Sequence, residues 1–232
     1  MILNQKIHIF SDFDGTITNT DSLVFLTRAL GAGEEFIVEI GRQIRSNEIT
    51  LRQGISAEMG SIRATFAEAR DLLLQQVKVD PDFKKFVEWC EATQIPLTVL
   101  SAGFHEFIDL FLTPQEYPTL EILASRINPQ PTGWECLFRD DSDYGNDKAA
   151  AIQRARNNGY YTIFLGDGLS DRTAAEAADV VFAKRSLAEH CRANSIPFTE
   201  FQTFAEVLIF IHEVHEETRS KEILPIVSSP FV

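Results

Sequence analysis

The segment Ser11-Asp12-Phe13-Asp14-Gly15-Thr16-Ile17-Thr18 directly follows the short apolar run Ile7-His8-Ile9-Phe10. Isoleucine and phenylalanine favour an extended strand, and the Asp-Gly-Thr sequence ends it. In open α/β sheets, the carboxyl ends of the strands face the crevice in which ligands bind. Two carboxylates crowded at such a strand end repel each other unless a cation lies between them. The segment therefore predicts a ligand site at the end of the first strand; the alternative is an ordinary turn.

Composition and charge limit the classes of function. The chain has 232 residues, of which 44% are hydrophobic, and its formal net charge is −13. This length and composition fit one large domain, or one domain with an insertion. The negative charge argues against nucleic-acid binding, because phosphate backbones require a basic surface. An anionic substrate would need local positive charge or a metal ion to offset the field of the protein.

The cysteines and the apolar segments indicate the compartment. Cys90, Cys136 and Cys191 are scattered without the spacing of a metal site, so we expect free thiols. The first six residues do not resemble a signal peptide, and no run of about 18 apolar residues occurs. We therefore expect a soluble cytoplasmic protein, a monomer or homodimer, that binds neither membranes nor nucleic acid.

The region after the first motif has helical spacing throughout. Apolar residues recur three and four positions apart, and no strand-like alternation interrupts them. The pattern predicts a small all-helical unit over residues 19–79, inserted into a larger core formed by residues 1–18 and 80–232. Its four predicted helices span residues 22–30, 34–45, 51–62 and 66–77.

Strands alternate with helices in the rest of the chain. This order predicts an α/β, Rossmann-like fold with a parallel sheet and helices on both faces. A helix is predicted to begin at Asp80-Pro81, and the last residues, 220–232, are predicted to be an irregular tail. The other predicted strands span 95–100, 121–127, 134–138, 160–165 and 180–183, and the other helices 104–112, 146–157, 172–177, 187–193 and 204–216.

Chemistry-bearing residues stand at or near the ends of four of these predicted elements. The acids there offer hard oxygen ligands, which favour Mg²⁺, and a magnesium ion can also accept phosphate oxygens. Ser101, with the backbone N–H groups of Ala102 and Gly103, is predicted to form a seat for an anion. Lys148 adds a positive point charge for the same anion. The acidic residues of this set are Asp12, Asp14, Asp167 and Asp171.

Together these residues closely resemble the haloacid dehalogenase superfamily of phosphohydrolases. Its DxDGT motif is matched by Asp12–Thr16, and its serine or threonine at the end of a hydrophobic strand by Ser101. Its lysine at a helix start is matched by Lys148, and its GDGxxD motif by Gly166–Asp171. The four motifs occur in the required order and extend over most of the chain.

The resemblance implies a role for each acid. Asp12 would attack phosphorus and form an aspartyl-phosphate, and Asp14 would protonate the leaving alcohol and then activate water. Mg²⁺ would be held by the Asp12 carboxylate, the Asp14 main-chain carbonyl and Asp167. Asp171 would orient a water on the metal, or Lys148. The phosphoryl oxygens would be bound by Ser101, the N–H of Ala102 and Lys148.

The helical insertion resembles the cap of the phosphoserine-phosphatase-like branch, which selects the leaving alcohol. Phosphoserine phosphatases usually carry a glutamate at the position of Asp21, and an arginine in the cap near the position of Glu58. Arg52 and Arg63 are displaced candidates for that arginine. A substrate carboxylate beside Glu58 would be repelled, which argues against phosphoserine.

A looser resemblance points to the methionine-salvage phosphatases, which hydrolyse 2-hydroxy-3-keto-5-methylthiopentenyl 1-phosphate. It rests on Val181-Phe182-Ala183-Lys184, followed by Leu187, Cys191 and Pro197-Phe198. This phosphate is the preferred substrate hypothesis. The alternatives are phosphoserine, a related phosphotransferase, and a non-catalytic module that binds phosphorylated metabolites.

Overall fold

A sheet of seven strands forms the centre of the structure, a computed structural model that describes residues 6–130 and 132–212. Within these residues the strand order is β4-β3-β2-β1-β5-β6-β7. All neighbouring strands are parallel except β4, which is antiparallel to β3. The strands are β1 (Lys6–Ser11), β2 (Leu97–Phe104), β3 (Glu121–Asn128), β4 (Glu135–Leu137), β5 (Tyr160–Gly166), β6 (Val180–Ala183) and β7 (Thr199–Glu200).

The central strand β1 determines where the functional residues meet. It pairs with β2 in the register Ser11↔Val99 and with β5 in the register Ser11↔Leu165. Because the three strands are parallel, their carboxyl ends lie at the same edge of the sheet. Asp12 and Asp167 therefore lie at this edge, close to Ser101 of β2.

Helices cover both faces of the sheet, which confirms the predicted α/β fold class. Ile9 and Phe10 of β1 point to opposite faces, as successive strand residues do, and each joins a separate apolar cluster. The described helices are α1 (Ser22–Leu30), α2 (Glu34–Arg45), α3 (Leu51–Ser61), α4 (Phe66–Gln76), α5 (Phe83–Ala92), α6 (His105–Ile108), α7 (Lys148–Asn157), α8 (Arg172–Ala177), α9 (Arg185–Ala193) and residues 204–212.

The predicted final helix and tail are only partly described. Residues 204–212 are helical, whereas the rest of the predicted helix to 216 and the tail 220–232 lie outside the described residues. Among the helices that the structure describes, none combines the length and the apolar character needed to cross a bilayer.

Helices α1 to α4 lie in the chain between β1 and α5, and they pack over the carboxyl edge of the sheet. The two chain segments that connect these helices to the sheet run side by side, since Thr18 forms a β-bridge with Val79. The N–H of Asn19 donates to the carbonyl of Lys78 at 3.0 Å. A third apolar cluster joins α1, α3 and α4 to residues of the sheet edge, including Trp134, whose Nε1 donates to the Ala64 carbonyl at 2.8 Å.

The prediction of a helix over 104–112 was wrong in extent. β2 continues to Phe104, with a register shift in its pairing with β3 between Leu100 and Phe104, and α6 has only four residues. Phe104 is fully buried and contacts Phe107 at a centroid distance of 5.8 Å. This packing outweighs the local helical spacing. Ser101 is consequently a strand residue beside an irregularity, and no long helix begins behind it.

The short strands show two further differences from the sequence prediction. The segment 134–138 forms only the three-residue strand β4, which pairs antiparallel to β3 through Ile127↔Cys136. β7 was not predicted, because two residues are too few for a periodic pattern. It pairs with β6 through Phe182↔Thr199 and Ala183↔Glu200.

Candidate active site

Asp12 lies at the end of β1 and is 4% exposed. Its backbone N–H donates to the carbonyl of Leu165 at 2.9 Å, so the end of β5 fixes its position. Its carboxylate accepts a hydrogen bond from Lys148 Nζ at 2.7 Å. The end of β5 thus helps to hold the buried carboxylate of Asp12, which is paired with one cation, the ammonium group of Lys148.

Lys148 is the first residue of α7, and Asp147 caps this helix by accepting from the N–H of Ala150 at 2.9 Å. Lys148 Nζ donates to Asp12 Oδ1 at 2.7 Å and to Asp171 Oδ1 at 2.6 Å. Burial lowers the pKa of Lys148, but the two carboxylates raise it by more, so the side chain stays charged.

Asp171 is fully buried and organises the loop after β5. Its Oδ2 accepts from the backbone N–H groups of Asp167 and Gly168, both at 2.9 Å. Both oxygens of Asp171 are therefore engaged, one with Lys148 and one with the backbone. This arrangement lets Asp171 orient Lys148 and the turn that carries Asp167.

Three carboxylates converge at the edge of the sheet. One oxygen each of Asp12, Asp167 and Asp171 lies within 4.8 Å of the other two. Burial and the neighbouring Asp171 raise the pKa of Asp12 well above its usual range. The same two causes raise the pKa of Asp167 to about 6, although Arg185 opposes the shift. The combined negative charge of these three carboxylates exceeds the single positive charge of Lys148. Crowded carboxylate oxygens of this kind fit a divalent cation such as Mg²⁺.

Asp14 belongs to the same motif, but its carboxylate is not part of this three-acid cluster. Its Oδ1 accepts from the backbone N–H of Ser22, the first residue of α1, at 2.8 Å. Burial, with a contribution from Asp21, raises the pKa of Asp14 to about 7, and the bond from Ser22 opposes this. A carboxyl with such a pKa can both donate and accept a proton near neutral pH.

Ser101 faces the cavity from β2. Its Oγ accepts from the N–H of Gly103 at 2.9 Å, so its own hydroxyl hydrogen remains available to a ligand. The carbonyl of Ser101 accepts from the buried amide of Asn146 at 2.7 Å, and the same amide binds the Leu123 carbonyl at 2.8 Å. Asn146 thus ties β2 and β3 to the segment that precedes Lys148.

A cavity of about 200 Å³ opens between the sheet edge and helices α1 to α3. Its floor contains Asp12, Asp14, Ser101, Ala102, Gly103 and residues 167–170. The opposite wall is mostly apolar, with two acids, Asp21 and Glu58. Burial, with a contribution from Asp21, raises the pKa of Glu58 to about 7. The apolar residues of this wall are Leu23, Val24, Ile44, Leu51 and Ile55.

The structure brings most of the predicted residues together but not the two arginines. Arg52 does not line the cavity; its guanidinium binds the carbonyl of Asp140 and lies 4.5 Å from the centroid of the Phe138 ring. Arg63 binds the carbonyls of Gly60 and Ile62. Arg52 lies on the side of α3 that faces the 138–143 loop, and its role in selecting the substrate stays a prediction.

Sequence reasoning assigned no role in the site to two basic residues that lie next to it. Lys184 is buried, and its Nζ donates to the carbonyl of Thr16 at 3.0 Å. Arg185 contacts Asp167 Oδ2 at 3.1 Å and donates to the carbonyl of Asn19 at 3.0 Å. The signal was a pair of basic residues directly after the apolar strand 180–183, which is the same position relative to a strand as the other site residues.

Comparison with known proteins identifies the family. Residues 9–176 match the family described as haloacid dehalogenase-like hydrolase. The chain belongs to this family. It is 35% identical over 218 residues to Pdp3-interacting factor 1 from Schizosaccharomyces pombe, covering 89% of this chain and 95% of the relative.

Two further relatives of this hydrolase carry enzyme names. The polyol phosphate phosphatase PYP1 from Saccharomyces cerevisiae is 30% identical over 226 residues, or 90% of this chain and 94% of the relative. The 2-hydroxy-3-keto-5-methylthiopentenyl-1-phosphate phosphatase from Brevibacillus brevis is 26% identical over 227 residues, or 93% and 99%. The predicted enzyme class, a phosphatase of the haloacid dehalogenase family, is confirmed.

The fold of this hydrolase agrees with solved structures of the predicted branch. A substrate-bound phosphoserine phosphatase superposes with a TM-score of 0.67 at 17% identity, covering 89% of this chain and 99% of the other. At this identity the likeness shows the fold alone.

Proposed function

We propose that the chain is a Mg²⁺-dependent phosphatase for small phosphate monoesters whose alcohol carries hydroxyl groups and no carboxylate. The observation that carries the proposal is the cavity wall. Opposite Asp12 and Ser101, the residues that line the cavity include Asp21 and Glu58, and among the described lining residues there is no arginine or lysine. Carboxylates accept hydrogen bonds from hydroxyl groups and repel other carboxylates.

In the first step, a carboxylate oxygen of Asp12 bonds to phosphorus while the bond from phosphorus to the leaving oxygen breaks. Asp14 supplies the proton that this oxygen needs. In the second step, ionised Asp14 takes a proton from a water molecule while the oxygen of that water attacks phosphorus. The bond to Asp12 then breaks, which releases phosphate and restores the free carboxylate.

The remaining residues bind charge and fix positions. Lys148 and the hydroxyl of Ser101 would bind the phosphoryl oxygens, together with the N–H of Ala102. Asp171 holds Lys148 through its Oδ1 at 2.6 Å, which keeps the ammonium at the phosphoryl position.

Mg²⁺ would be held by the carboxylates of Asp12 and Asp167 and by the main-chain carbonyl of Asp14. When bound, the ion offsets the negative charge of the acids and of the phosphoryl group. The convergence of three carboxylates supports this assignment, and the engagement of both Asp171 oxygens leaves Asp171 as an orienting residue.

We assign residues 19–79 to a cap and residues 1–18 and 80–232 to a catalytic core. The side-by-side connection at Thr18 and Val79 supports this division. The cap contributes the wall that meets the leaving alcohol, and it also supplies the N–H of Ser22 to Asp14. Selection of the alcohol and proton transfer to it would thus involve the same helix, α1.

A straight-chain polyol phosphate is the substrate class that we favour. Its hydroxyl groups can donate to Asp21 and Glu58, and the relative PYP1 is named a polyol phosphate phosphatase. The methionine-salvage phosphate is the second candidate. Its thioether tail suits the apolar part of the wall, around Ile44, Leu51 and Ile55, and a relative bearing that activity is 26% identical.

A substrate panel with and without Mg²⁺ tests this proposal. We expect xylitol 5-phosphate to exceed phosphoserine in kcat/KM by at least about tenfold, since a buried like-charge contact costs more than about 1.4 kcal/mol. Chelation with EDTA should abolish turnover. A Glu58→Arg variant should shift the preference towards phosphoserine. If phosphoserine is the best substrate of the wild type, the assigned substrate class is wrong.

A further inference from the structure

Arg52 lies on the side of α3 that faces away from the cavity, and its side chain binds a loop of the catalytic core. Its Nη1 lies 2.5 Å from the Asp140 carbonyl oxygen and 3.5 Å from that of Ser142. Its backbone N–H donates to the Asp143 carbonyl at 2.8 Å. The guanidinium also stacks on Phe138, 4.5 Å from the ring centroid.

The loop that Arg52 binds leads directly to the residues at the phosphoryl position. Asp140 Oδ2 accepts from the N–H of Asp147 at 2.8 Å, and its Oδ1 accepts from the N–H of Ser142 at 3.0 Å. Asp147 caps α7, whose first residue is Lys148. The loop also contains Asn146, whose amide holds the carbonyl of Ser101. We call residues 138–147 the connecting loop.

The same helix α3 supplies part of the wall that faces the leaving alcohol. Leu51, Gly54, Ile55 and Glu58 line the cavity. Arg52 projects from between them to the connecting loop. One side chain therefore links the wall that selects the alcohol to the loop that carries Lys148.

We propose that Arg52 is a positioning residue that holds α3 and the connecting loop in register, so that the alcohol wall and the phosphoryl-binding residues keep a fixed separation. The proposal rests on the proposed function for the identity of these two parts. A guanidinium suits this role because its donors have a fixed planar geometry and can bind two carbonyl groups while the plane stacks on an aromatic ring. Lysine offers only one flexible ammonium.

Two substrates of different length test the proposal kinetically. In the proposed binding mode, xylitol 5-phosphate would extend to the α3 wall, whereas acetyl phosphate has a leaving group too small to do so. For Arg52→Met we expect kcat/KM with xylitol 5-phosphate to fall about tenfold or more, because hydrogen bonds from a charged group are lost. The loss with acetyl phosphate should stay within about threefold, and Arg52→Lys should recover part of the activity.

Arg42→Met is the matched control, because Arg42 binds only Glu39 and Glu48 among the described residues and lies on α2. We expect it to retain wild-type kinetics with both substrates. Equal losses of activity with both substrates in Arg52→Met, or no loss with either, would overturn the proposal.

Hydrogen exchange gives a readout that does not depend on any substrate. In Arg52→Met the amide of Asp147, which donates to Asp140, should exchange at least about tenfold faster, whereas the amides of β5 should be unchanged. Unchanged exchange at Asp147 would overturn the proposal even if the enzyme is active. If the wild type hydrolyses neither substrate, the proposed function fails, and the exchange experiment still decides the role of Arg52.

Discussion

Lys148 lies between Asp12 and Asp171, and all three side chains are at most 5% exposed. Removing charges from water costs free energy, which is recovered only where opposite charges and hydrogen bonds meet them. One ammonium balances one of the two carboxylates, and Asp167 adds a further acid nearby. Burial, together with the neighbouring Asp171, raises the pKa of Asp12, and the excess of negative charge favours a site that gains a divalent cation.

Glu58 presents a different case, because it has no cation beside it among the described residues. Burial raises its pKa to about 7 from an ordinary value of 4.5, so the folded protein holds the proton more tightly than the unfolded chain does. The stabilising effect of this protonation is complete below about pH 4.5 and is lost as the pH rises through about 7. Above pH 7 the ionised side chain therefore destabilises the fold.

We expect Glu58→Gln to be more stable than the wild type at pH 8, by about 1–3 kcal/mol, because the amide cannot ionise. At pH 4.5 the two proteins should differ by much less. Urea unfolding at both pH values measures this difference. Glu35→Gln, at an exposed position on α2, serves as the control. A stability difference between Glu58→Gln and the wild type that is the same at both pH values would contradict the assigned burial effect.

At the scale of the elements, the ends of some helices could be predicted from the sequence. The structure confirms the predicted bounds of α1 and α2. The bounds of α1 were predictable because Asp21 caps this helix and Gly31 follows its end. β2 was harder to predict, since its extension to Phe104 depends on packing against residues distant in sequence. The same reason hid the partners of Asp14 and Ser101, which are the N–H of Ser22 and the amide of Asn146.

The cap of α7 yields a prediction at this scale. Asp147→Ala removes the acceptor of the Ala150 N–H, so the free energy of unfolding should fall by about 1 kcal/mol. Asp147→Ser should restore most of the loss, because a serine hydroxyl can accept the same bond. Urea denaturation of the three proteins measures the effect. No difference between Asp147→Ala and the wild type would show that the cap does not stabilise α7.

At the scale of the whole molecule, the fold brings residues from distant parts of the chain to one edge of a sheet. Asp12, Ser101 and Asp167 meet because β1, β2 and β5 pair in parallel, and the alternation of strands and helices predicts such a parallel sheet. The wall of the cavity does not follow from strand order, because it depends on how α1 and α3 pack over that edge. Arg52 shows why this wall was hard to predict from the sequence. Some residues of α3 face the cavity, whereas Arg52, on the same helix, faces the connecting loop.

The central claim is that Asp12 receives the phosphoryl group. The most direct measurement is to stop the reaction of Asp14→Asn with acetyl phosphate and Mg²⁺, reduce the protein with borohydride, and locate the product by mass spectrometry. Asparagine cannot activate water, so the intermediate should accumulate, and reduction of an aspartyl-phosphate should convert residue 12 to homoserine. Phosphate found on another side chain would contradict the account. So would turnover by Asp14→Asn at the wild-type rate with no modified residue.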